Sequence, residues 1–344
     1  MTGRSSIGVT ASASVVIPTF NRAVLLGETL DSLARLQPRS VQAWEVLVVD
    51  NNSTDETAAV VRGRQPDFPV PLRYEFEPAQ GRSNALNRGI AATSAPVLAF
   101  IDDDVVVAER WLDEAAAPLL DPDSGADYTG GPVHPIWEAP RPQWLSATRA
   151  DLWGAIAILD YGDEPFEFEE RRRVPLGANM AVRRTLVDRI GGFSPRLGRT
   201  AGTQILGQEV PEFLARARAV NSRGQYRPAM LVRHHVPARR LTKTYFRRWW
   251  YGKGRSRAAL ERLQPITELG VNLDRVPHVL RTPRFMWRSA AEALGGWAVA
   301  ALRFDHEEQF KHEAMLCYFA GYVAARRQEE SERFVASPGG SSVR

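Results

Sequence analysis

Short apolar runs alternate with helix-length amphipathic segments through the first part of the chain. Strands are predicted at 14–19, 45–50, 72–77 and 97–101, and helices at 25–36, from about 54, at 82–92 and from about 109. Strands that read as continuous apolar runs and alternate with helices form βαβ units, in which helices cover both faces of a parallel sheet. The pattern therefore predicts an α/β fold with a mostly parallel, Rossmann-like sheet and helices on both of its faces.

This alternation breaks down further along the chain. The sequence is rich in Gly, Pro and Trp over 128–170, and from residue 241 it has a helical pattern. A change in pattern of this kind marks a candidate domain boundary. We expect four segments: a flexible tail over 1–13, the α/β domain over 14–240, a C-terminal helical region over 241–334, and a flexible tail over 335–344.

The composition indicates a folded protein without disulfides. Of the 344 residues, 44% are hydrophobic and 24% are charged, and Cys317 is the single cysteine. One cysteine excludes an internal disulfide framework and agrees with a reducing compartment. The N-terminus lacks the apolar core of a signal peptide, and no apolar run reaches the roughly 18 residues of a membrane span. We expect a cytoplasmic protein, with peripheral contact to the inner face of the membrane as an option considered below.

Three consecutive carboxylates follow the fourth predicted strand. The stretch VLAFIDDDVV runs from five apolar residues into Asp102, Asp103 and Asp104. Adjacent ionised carboxylates repel one another, whereas a hard divalent cation takes oxygen ligands and would hold them together. The alternative is a strand end followed by a solvated loop. Thr19 and Asp50 also end predicted strands, and because ligands of open parallel sheets bind at the carboxyl ends of strands, a shared crevice is favoured.

These segments together resemble a family 2 glycosyltransferase with the GT-A fold. The segments that carry the resemblance stand in family order over about 14–237: VVIPTFNR, the turn VVDNNSTDET, the helix GRSNALNRGI, the metal motif FIDDDV, GANMAVRR, GGFSPRLGR and GQEVPEF. Several motifs in the right order are far more specific than any one of them.

The resemblance implies an enzyme that moves a sugar from a nucleotide-sugar to an acceptor hydroxyl, with inversion and with a divalent metal. A UDP-sugar is the favoured donor, and guanine or thymine nucleotides stay open. The acceptor would be a glycan, a lipid-linked sugar or a small molecule, in polysaccharide or glycoconjugate biosynthesis. Two alternatives are a natural-product glycosyltransferase acting on a soluble aglycone and a non-catalytic nucleotide-sugar-binding protein.

The resemblance also implies roles for residues at the donor site. Asp50 would accept a hydrogen bond from the nucleotide base, and Arg82 would neutralise diphosphate charge with its fork of donors. Asp102 would contact the ribose or a metal-bound water, while Asp103 occupies the family's variable position and should point away. The complete implied set is Pro18, Thr19, Asn21, Arg22, Asp50, Asn52, Arg82, Asn84, Asp102 and Asp103. For Asn84, capping of a helix is an equal alternative.

The implied metal is Mn²⁺ or Mg²⁺, with Asp104 and His234 as its ligands. His234 in AMLVRHHVP is the better positional match to the histidine that completes the family's metal site. Mn²⁺ accepts an imidazole ligand more readily than Mg²⁺ does.

The family's catalytic aspartate has no counterpart at its position. GQEVPEF aligns without gaps to the family's Gly-Gly-Glu-Asp-x-Glu-Phe segment. In this alignment Val210 occupies the position of the family's aspartate. Valine has no proton chemistry, which leaves Glu209 or Glu212 as the catalytic base. Glu209 precedes Pro211, which suits the first turn of a helix, and is favoured. Glu212 lies inside the helix, where it would instead orient a neighbour.

A basic and aromatic stretch opens the C-terminal region. Nine Lys or Arg and no acidic residue lie between Arg233 and Arg257, and Leu241, Tyr245 and Trp249 recur at helical spacing. Such a helix can lie on an anionic membrane surface, or its aromatics can pack on the catalytic domain. Nucleic acid is not expected as a partner, because the upstream motifs belong to a nucleotide-sugar site. The helices that follow could cap the domain or form a homodimer.

Overall fold

The computed structural model describes residues 12–168, 173–197, 207–263 and 272–336, with side chains at 262–263 and 329–336 left out of the description. Almost all of the two predicted tails, the end of GGFSPRLGR and part of the predicted C-terminal helical region lie outside these residues. The described chain divides into two compact units. The first comprises 12–138, 156–168, 173–197 and 209–236, and the second comprises 139–155, 207–208, 237–263 and 272–336.

Eight strands of the first unit form one mixed, largely parallel sheet. In chain order the strands of this unit are β1 (Ala13–Thr19), β2 (Trp44–Asp50), β3 (Leu72–Phe76), β4 (Val97–Ile101), β5 (Val105–Val107), β6 (Tyr128–Gly130), β7 (Val133–Trp137), β8 (Phe166–Glu167), β9 (Asn179–Arg183), β10 (Gly224–Tyr226) and β11 (Val232–Val236). The sheet order is β3-β2-β1-β4-β9-β6-β10-β8, and β5-β11-β7 form a second sheet. β3, β2, β1 and β4 are mutually parallel, and β9 is antiparallel to β4.

Helices cover both faces of this sheet, as the sequence predicts. They are α1 (Ala23–Ala34), α2 (Thr57–Arg64), α3 (Arg82–Ala91), α4 (Trp111–Leu120), α5 (Arg184–Ile190) and α6 (Glu209–Ala219). Successive strand residues point to opposite faces, so Val15 and Ile17 of β1 pack in one hydrophobic cluster with α1 and α4, while Val16 packs in another with α3, α5 and α6. The predicted α/β fold with helices on both faces is confirmed.

Some local predictions differ from the structure. The second helix begins at Thr57 rather than near Thr54, because the backbone N–H and the hydroxyl of Thr57 donate to Asp55 Oδ1, at 3.1 and 2.5 Å. The segment 128–170 contains β6, β7 and β8, although its Gly and Pro content favours loop. These strands take their hydrogen-bond partners from distant parts of the chain, for example β11 for β7.

In the second unit, the described residues from 243 onward are mainly helical with one short hairpin, whereas 139–149 form turns and irregular backbone. The unit contains α7 (Lys243–Leu263), the strands β12 (His278–Val279) and β13 (Thr282–Pro283), α8 (Arg284–Leu302) and α9 (His306–Ala336). The predicted basic aromatic helix is α7, and its residues Phe246 and Trp250 are buried, with their rings against Phe310 and Tyr318. None of the helices in the described part of the chain is both long and apolar enough to span a membrane.

Candidate functional site

Three parallel strands of the first unit end side by side with polar residues. The register pairs Thr19 with Asp50 and Val16 with Phe100, so the carboxylates after β4 follow close to the end of β1. Thr19 Oγ1 donates to Asp103 Oδ2 at 2.7 Å. The strand ends therefore meet at one edge of the sheet, where the sequence places a crevice.

Asp103 and Asp104 are buried and share one guanidinium. Their exposed fractions are 5% and 3%. Arg22, which precedes α1, donates from Nη1 to Asp103 Oδ1 at 3.0 Å and to Asp104 Oδ2. Burial lowers the pKa of Arg22, but the charges of Asp104, Asp103 and Asp102 outweigh it and raise the pKa above its ordinary value. Burial raises the pKa of Asp103 to about 7, against the opposing effect of Arg22. Asp103 therefore lies beside Asp104 on the same cation, contrary to the expectation that it points away.

His234 lies beside the same carboxylate. Its Nε2 is 3.4 Å from Asp104 Oδ2, and only 2% of the His234 side chain is exposed. Two ligands held at about 2.1 Å from one cation at a right angle lie about 3 Å apart, so this spacing fits a shared cation. Within the described residues no group of three or more His, Cys, Asp or Glu side chains could hold a metal by itself. A cation here would need further oxygens, such as those of a diphosphate.

Arg82 joins a second pair of carboxylates. From the first turn of α3, its Nη2 donates to Asp102 Oδ1 at 2.7 Å and to the carbonyl oxygen of Gly177 at 3.0 Å, and its Nη1 donates to Glu209 Oε1 at 3.1 Å. Burial lowers the pKa of Arg82, but Asp102 and Glu209 more than compensate and raise it above its ordinary value. One guanidinium therefore fixes the distance between the carboxylates after β4 and at the start of α6.

Arg82 contacts only one of the two carboxylate oxygens of Glu209. Glu209 is the first residue of α6 and is 5% exposed. Among the residues described, its Oε2 has no hydrogen-bond partner. A buried carboxylate oxygen without a partner is costly, unless it serves a ligand. Val210, next along the helix, packs in the hydrophobic cluster of α3, α5 and α6.

Both carboxylate oxygens of Glu212 pair with one arginine, Arg216. Its two oxygens accept from Arg216 Nε at 2.7 Å and from Arg216 Nη2 at 2.9 Å. Arg216 in turn donates to the carbonyls of Gly191 and Gly192, at 3.1 and 2.6 Å. This bidentate pair ties α6 to the turn after α5, which is the orienting role that the sequence leaves open for Glu212.

Asp50 is buried at the end of β2 and is held by two donors. The backbone N–H of Ser53 donates to its Oδ1 at 2.8 Å, and Tyr74 Oη donates to its Oδ2 at 2.7 Å. Burial and the neighbouring Asp50 raise the pKa of Tyr74 to about 12. Tyr74 lies inside β3, and nothing in its local sequence marks it as a partner of Asp50.

The loops after β1 and β2 lock together. Asn21 has φ of 52°, and its Oδ1 accepts from the backbone N–H of Thr54 at 2.7 Å. Asn51, which the sequence did not single out, donates from Nδ2 to the carbonyls of Glu77 and Ala79, and its Oδ1 accepts from Gly81 N at 2.7 Å. Its position directly after Asp50 is the signal that could have found it. Asn51 thereby sets the position of the loop that leads into α3.

The remaining predicted donor residues lie around this edge. Asn52 is exposed and has φ of 68°, and Pro18 is buried within β1. Asn84 Nδ2 donates to the carbonyls of Ala79 and Gln80, at 3.3 and 3.2 Å, next to the start of α3. The predicted site residues thus form two contacting groups: Thr19, Arg22, Asp103, Asp104 and His234 in one, and Arg82, Asp102 and Glu209 in the other.

Comparison with known proteins agrees with these features. Residues 14–191, just over half of the chain, match the family described as Glycosyl transferase family 2. Validoxylamine A glucosyltransferase from Streptomyces hygroscopicus subsp. jinggangensis is 38% identical over 109 residues, which are 32% of this chain and 26% of that protein. Glycosyltransferase AglE from Haloferax volcanii is 30% identical over 54% of this chain and 56% of that protein. The chain therefore spans about a quarter of one relative and about half of the other.

A solved structure shares the fold. Mannosyltransferase PcManGT from Pyrobaculum calidifontis, in complex with GDP-Man and Mn²⁺, superposes with a TM-score of 0.59 and 19% identity, covering 94% of this chain and 89% of that chain. At this identity the likeness shows the GT-A fold, as expected from the sequence. Since the family match covers more than half of its residues, the chain belongs to glycosyl transferase family 2.

Proposed function

We propose that the chain is an inverting, metal-dependent glycosyltransferase that moves a sugar from a nucleotide-sugar to an acceptor hydroxyl. Arg82 carries this proposal, because it contacts both Asp102, the proposed donor-side carboxylate, and Glu209, the proposed acceptor-side carboxylate. Because one guanidinium holds both carboxylates, the contacts support a fixed spacing between the proposed donor-side group and the proposed base.

Glu209 is the proposed general base. An acceptor hydroxyl would donate its hydrogen bond to Oε2, the oxygen that Arg82 does not use. As the hydroxyl oxygen bonds to the anomeric carbon, its proton passes to Glu209, and the nucleoside diphosphate leaves from the opposite face, so the configuration inverts. Arg82 would stabilise the negative charge that develops on the leaving diphosphate. Val210 takes no part in this step.

Asp104 and His234 are the proposed protein ligands of Mn²⁺ or Mg²⁺. Their 3.4 Å separation fits a shared cation, and both side chains are buried at the crevice. A metal bound there would supply Lewis-acid stabilisation of the leaving diphosphate. The similar-fold mannosyltransferase was solved with Mn²⁺, and this supports Mn²⁺ as the first metal to test.

The donor and acceptor are proposed at the level of chemical class. Asp50 supports a pyrimidine-reading site and hence a UDP-sugar, while GDP-Man in the structure of similar fold makes GDP-sugars the first competitor. A glycan, a lipid-linked sugar and a small molecule remain the acceptor classes. The cytoplasmic location, the contact with an anionic membrane and the homodimer stay predictions.

The test is a donor panel with the complete chain. UDP-, GDP- and dTDP-sugars are incubated with Mn²⁺ and a mixed acceptor set, and release of nucleoside diphosphate is measured alongside thermal melting. We expect turnover and a metal-dependent rise in melting temperature with one nucleotide class, and loss of both in Asp104→Asn. Stabilisation by a nucleotide-sugar without any release would contradict catalysis and favour the binding-protein alternative.

A further inference from the structure

Arg22 lies where a metal would compete with it. Its Nη1 contacts Asp104 Oδ2, the same oxygen that His234 Nε2 approaches to 3.4 Å. Two adjacent carboxylates buried without a cation would be strongly unfavourable. Arg22 therefore supplies the positive charge that this pair needs in the metal-free protein.

The two carboxylates hold Arg22 differently. Asp103 has a fixed second contact on its other oxygen, from Thr19 Oγ1 at 2.7 Å, and accepts from Arg22 at 3.0 Å. Asp104 contacts Arg22 through the oxygen that faces His234. Thr19 thus fixes the orientation of Asp103, which keeps a carboxylate oxygen beside Arg22 if Asp104 turns to a metal. The Arg22 side chain is 30% exposed, so it borders solvent and is not enclosed by the core.

We propose that Arg22 is the resident counter-ion of Asp103 and Asp104, and that a divalent cation at Asp104 binds in competition with it. This rests on the proposed metal site. With Arg22 in place, a dication must enter beside an existing positive charge, so the metal alone binds weakly. The negative charge of a nucleoside diphosphate offsets that repulsion. Arg22 is then a positioning residue that couples metal affinity to donor occupancy, a reciprocal free-energy coupling between the two ligands.

The experiment measures Mn²⁺ binding rather than turnover. Free Mn²⁺ is followed by its electron paramagnetic resonance signal in titrations of the wild-type chain and Arg22→Gln, with and without UDP or GDP. We expect Arg22→Gln to bind Mn²⁺ alone about tenfold more tightly than wild type, within the usual range of coupling effects. The tightening of Mn²⁺ binding by the nucleotide should shrink by the same factor.

Arg88→Gln is the matched control. Arg88 also pairs with a carboxylate of the first unit, Glu75 Oε2 at 2.6 Å, and its loss changes the net charge equally. It should leave both affinities at the wild-type level. If Arg22→Gln does not fold, Arg22→Lys is measured instead. Lysine keeps the charge but not the planar guanidinium, so its Mn²⁺ affinity should lie between that of wild type and a tenfold higher value.

Three results would overturn the proposal. Unchanged or weaker Mn²⁺ binding by Arg22→Gln shows that Arg22 does not compete with the metal. An equal effect in Arg88→Gln shows that only net charge matters. Absence of Mn²⁺ binding by wild type at every nucleotide concentration removes the metal site itself, and both proposals fall together. The donor panel is therefore repeated without Mn²⁺. Turnover without the metal removes metal dependence, whereas metal-dependent turnover together with unchanged Mn²⁺ affinity in Arg22→Gln removes only the proposed role of Arg22.

Discussion

Two carboxylates of α6 are held by different arginines and differ in how many of their oxygens are used. Glu209 and Glu212 lie three residues apart on α6, and each pairs with an arginine, Arg82 and Arg216. Arg216 uses both oxygens of Glu212, whereas Arg82 uses one oxygen of Glu209. The proposed mechanism uses this difference: Glu209, which has an oxygen without a partner among the described residues, is the proposed base, while Glu212 holds Arg216 against the turn after α5.

Exchange of each carboxylate for its amide separates these roles. Glu209→Gln should lower kcat by about 10²–10⁴-fold, the usual contribution of a general base, while nucleotide affinity stays near wild type because the base acts on the acceptor. Glu212→Gln is the matched control and should mainly lower the melting temperature, because Arg216 loses its bidentate partner. Steady-state kinetics, nucleotide titration and thermal melting measure these effects. A dead Glu212→Gln beside an active Glu209→Gln would reverse the assignment.

At the scale of elements, glycines set how closely two helices of the second unit approach. A Cβ on Gly254 of α7 would lie 2.0 Å from the carbonyl oxygen of Tyr318, and one on Gly321 of α9 would lie 2.0 Å from that of Tyr251. Such distances are impossible for real atoms, so the helix backbones would have to separate. The close α7–α9 contact therefore depends on both glycines.

We expect Gly254→Ala and Gly321→Ala to destabilise the protein by about 1–3 kcal/mol each, as overpacking of a core does. Gly295→Ala is the control, because a Cβ at Gly295 of α8 meets nothing within 4 Å. There the added helix propensity should stabilise by about 0.5–1 kcal/mol. Urea denaturation followed by circular dichroism gives the free energies of unfolding. A stabilising effect of Gly254→Ala would show that the two helices do not depend on this contact.

The elements differ in how far the sequence predicts them. β1, β2 and β4 are continuous apolar runs buried on both faces, so the local pattern is enough to predict them as strands. The ends of these strands in turn predict that Thr19, Asp50 and Asp102 lie at one edge of the sheet. β6 to β8 were missed because their partners are distant in sequence. The same limit applies to side chains: the pairing of Tyr74 with Asp50, and of Arg22 with Asp104, depends on register and loop path. Local pattern encodes neither of these.

At the scale of the whole molecule, the cations of the two units have different surroundings. Arg22 and Arg82 in the first unit are each held by two carboxylates at the crevice. In α7 of the second unit, Lys253 lies over the rings of Trp249 and Trp250, at 5.2 and 5.0 Å from their centroids. Because Phe246 and Trp250 are buried and Tyr245 and Trp249 are partly buried, we expect any membrane contact through this helix to be electrostatic.

An electrostatic contact has a distinct salt dependence. Each cation near an anionic surface gains about 1 kcal/mol, and salt screens that attraction. We expect the chain to sediment with vesicles of anionic lipid at low salt, to be released as salt rises, and not to sediment with zwitterionic vesicles.

Arg248→Glu reverses a charge at an exposed position of α7 and should weaken sedimentation with anionic vesicles. Arg35→Glu, the same reversal at an exposed position after α1, should not. Equal effects of the two reversals would show that net charge alone decides. Sedimentation that resists salt would contradict an electrostatic contact and implicate exposed apolar side chains such as Leu302 and Phe304, which are 82% and 80% exposed.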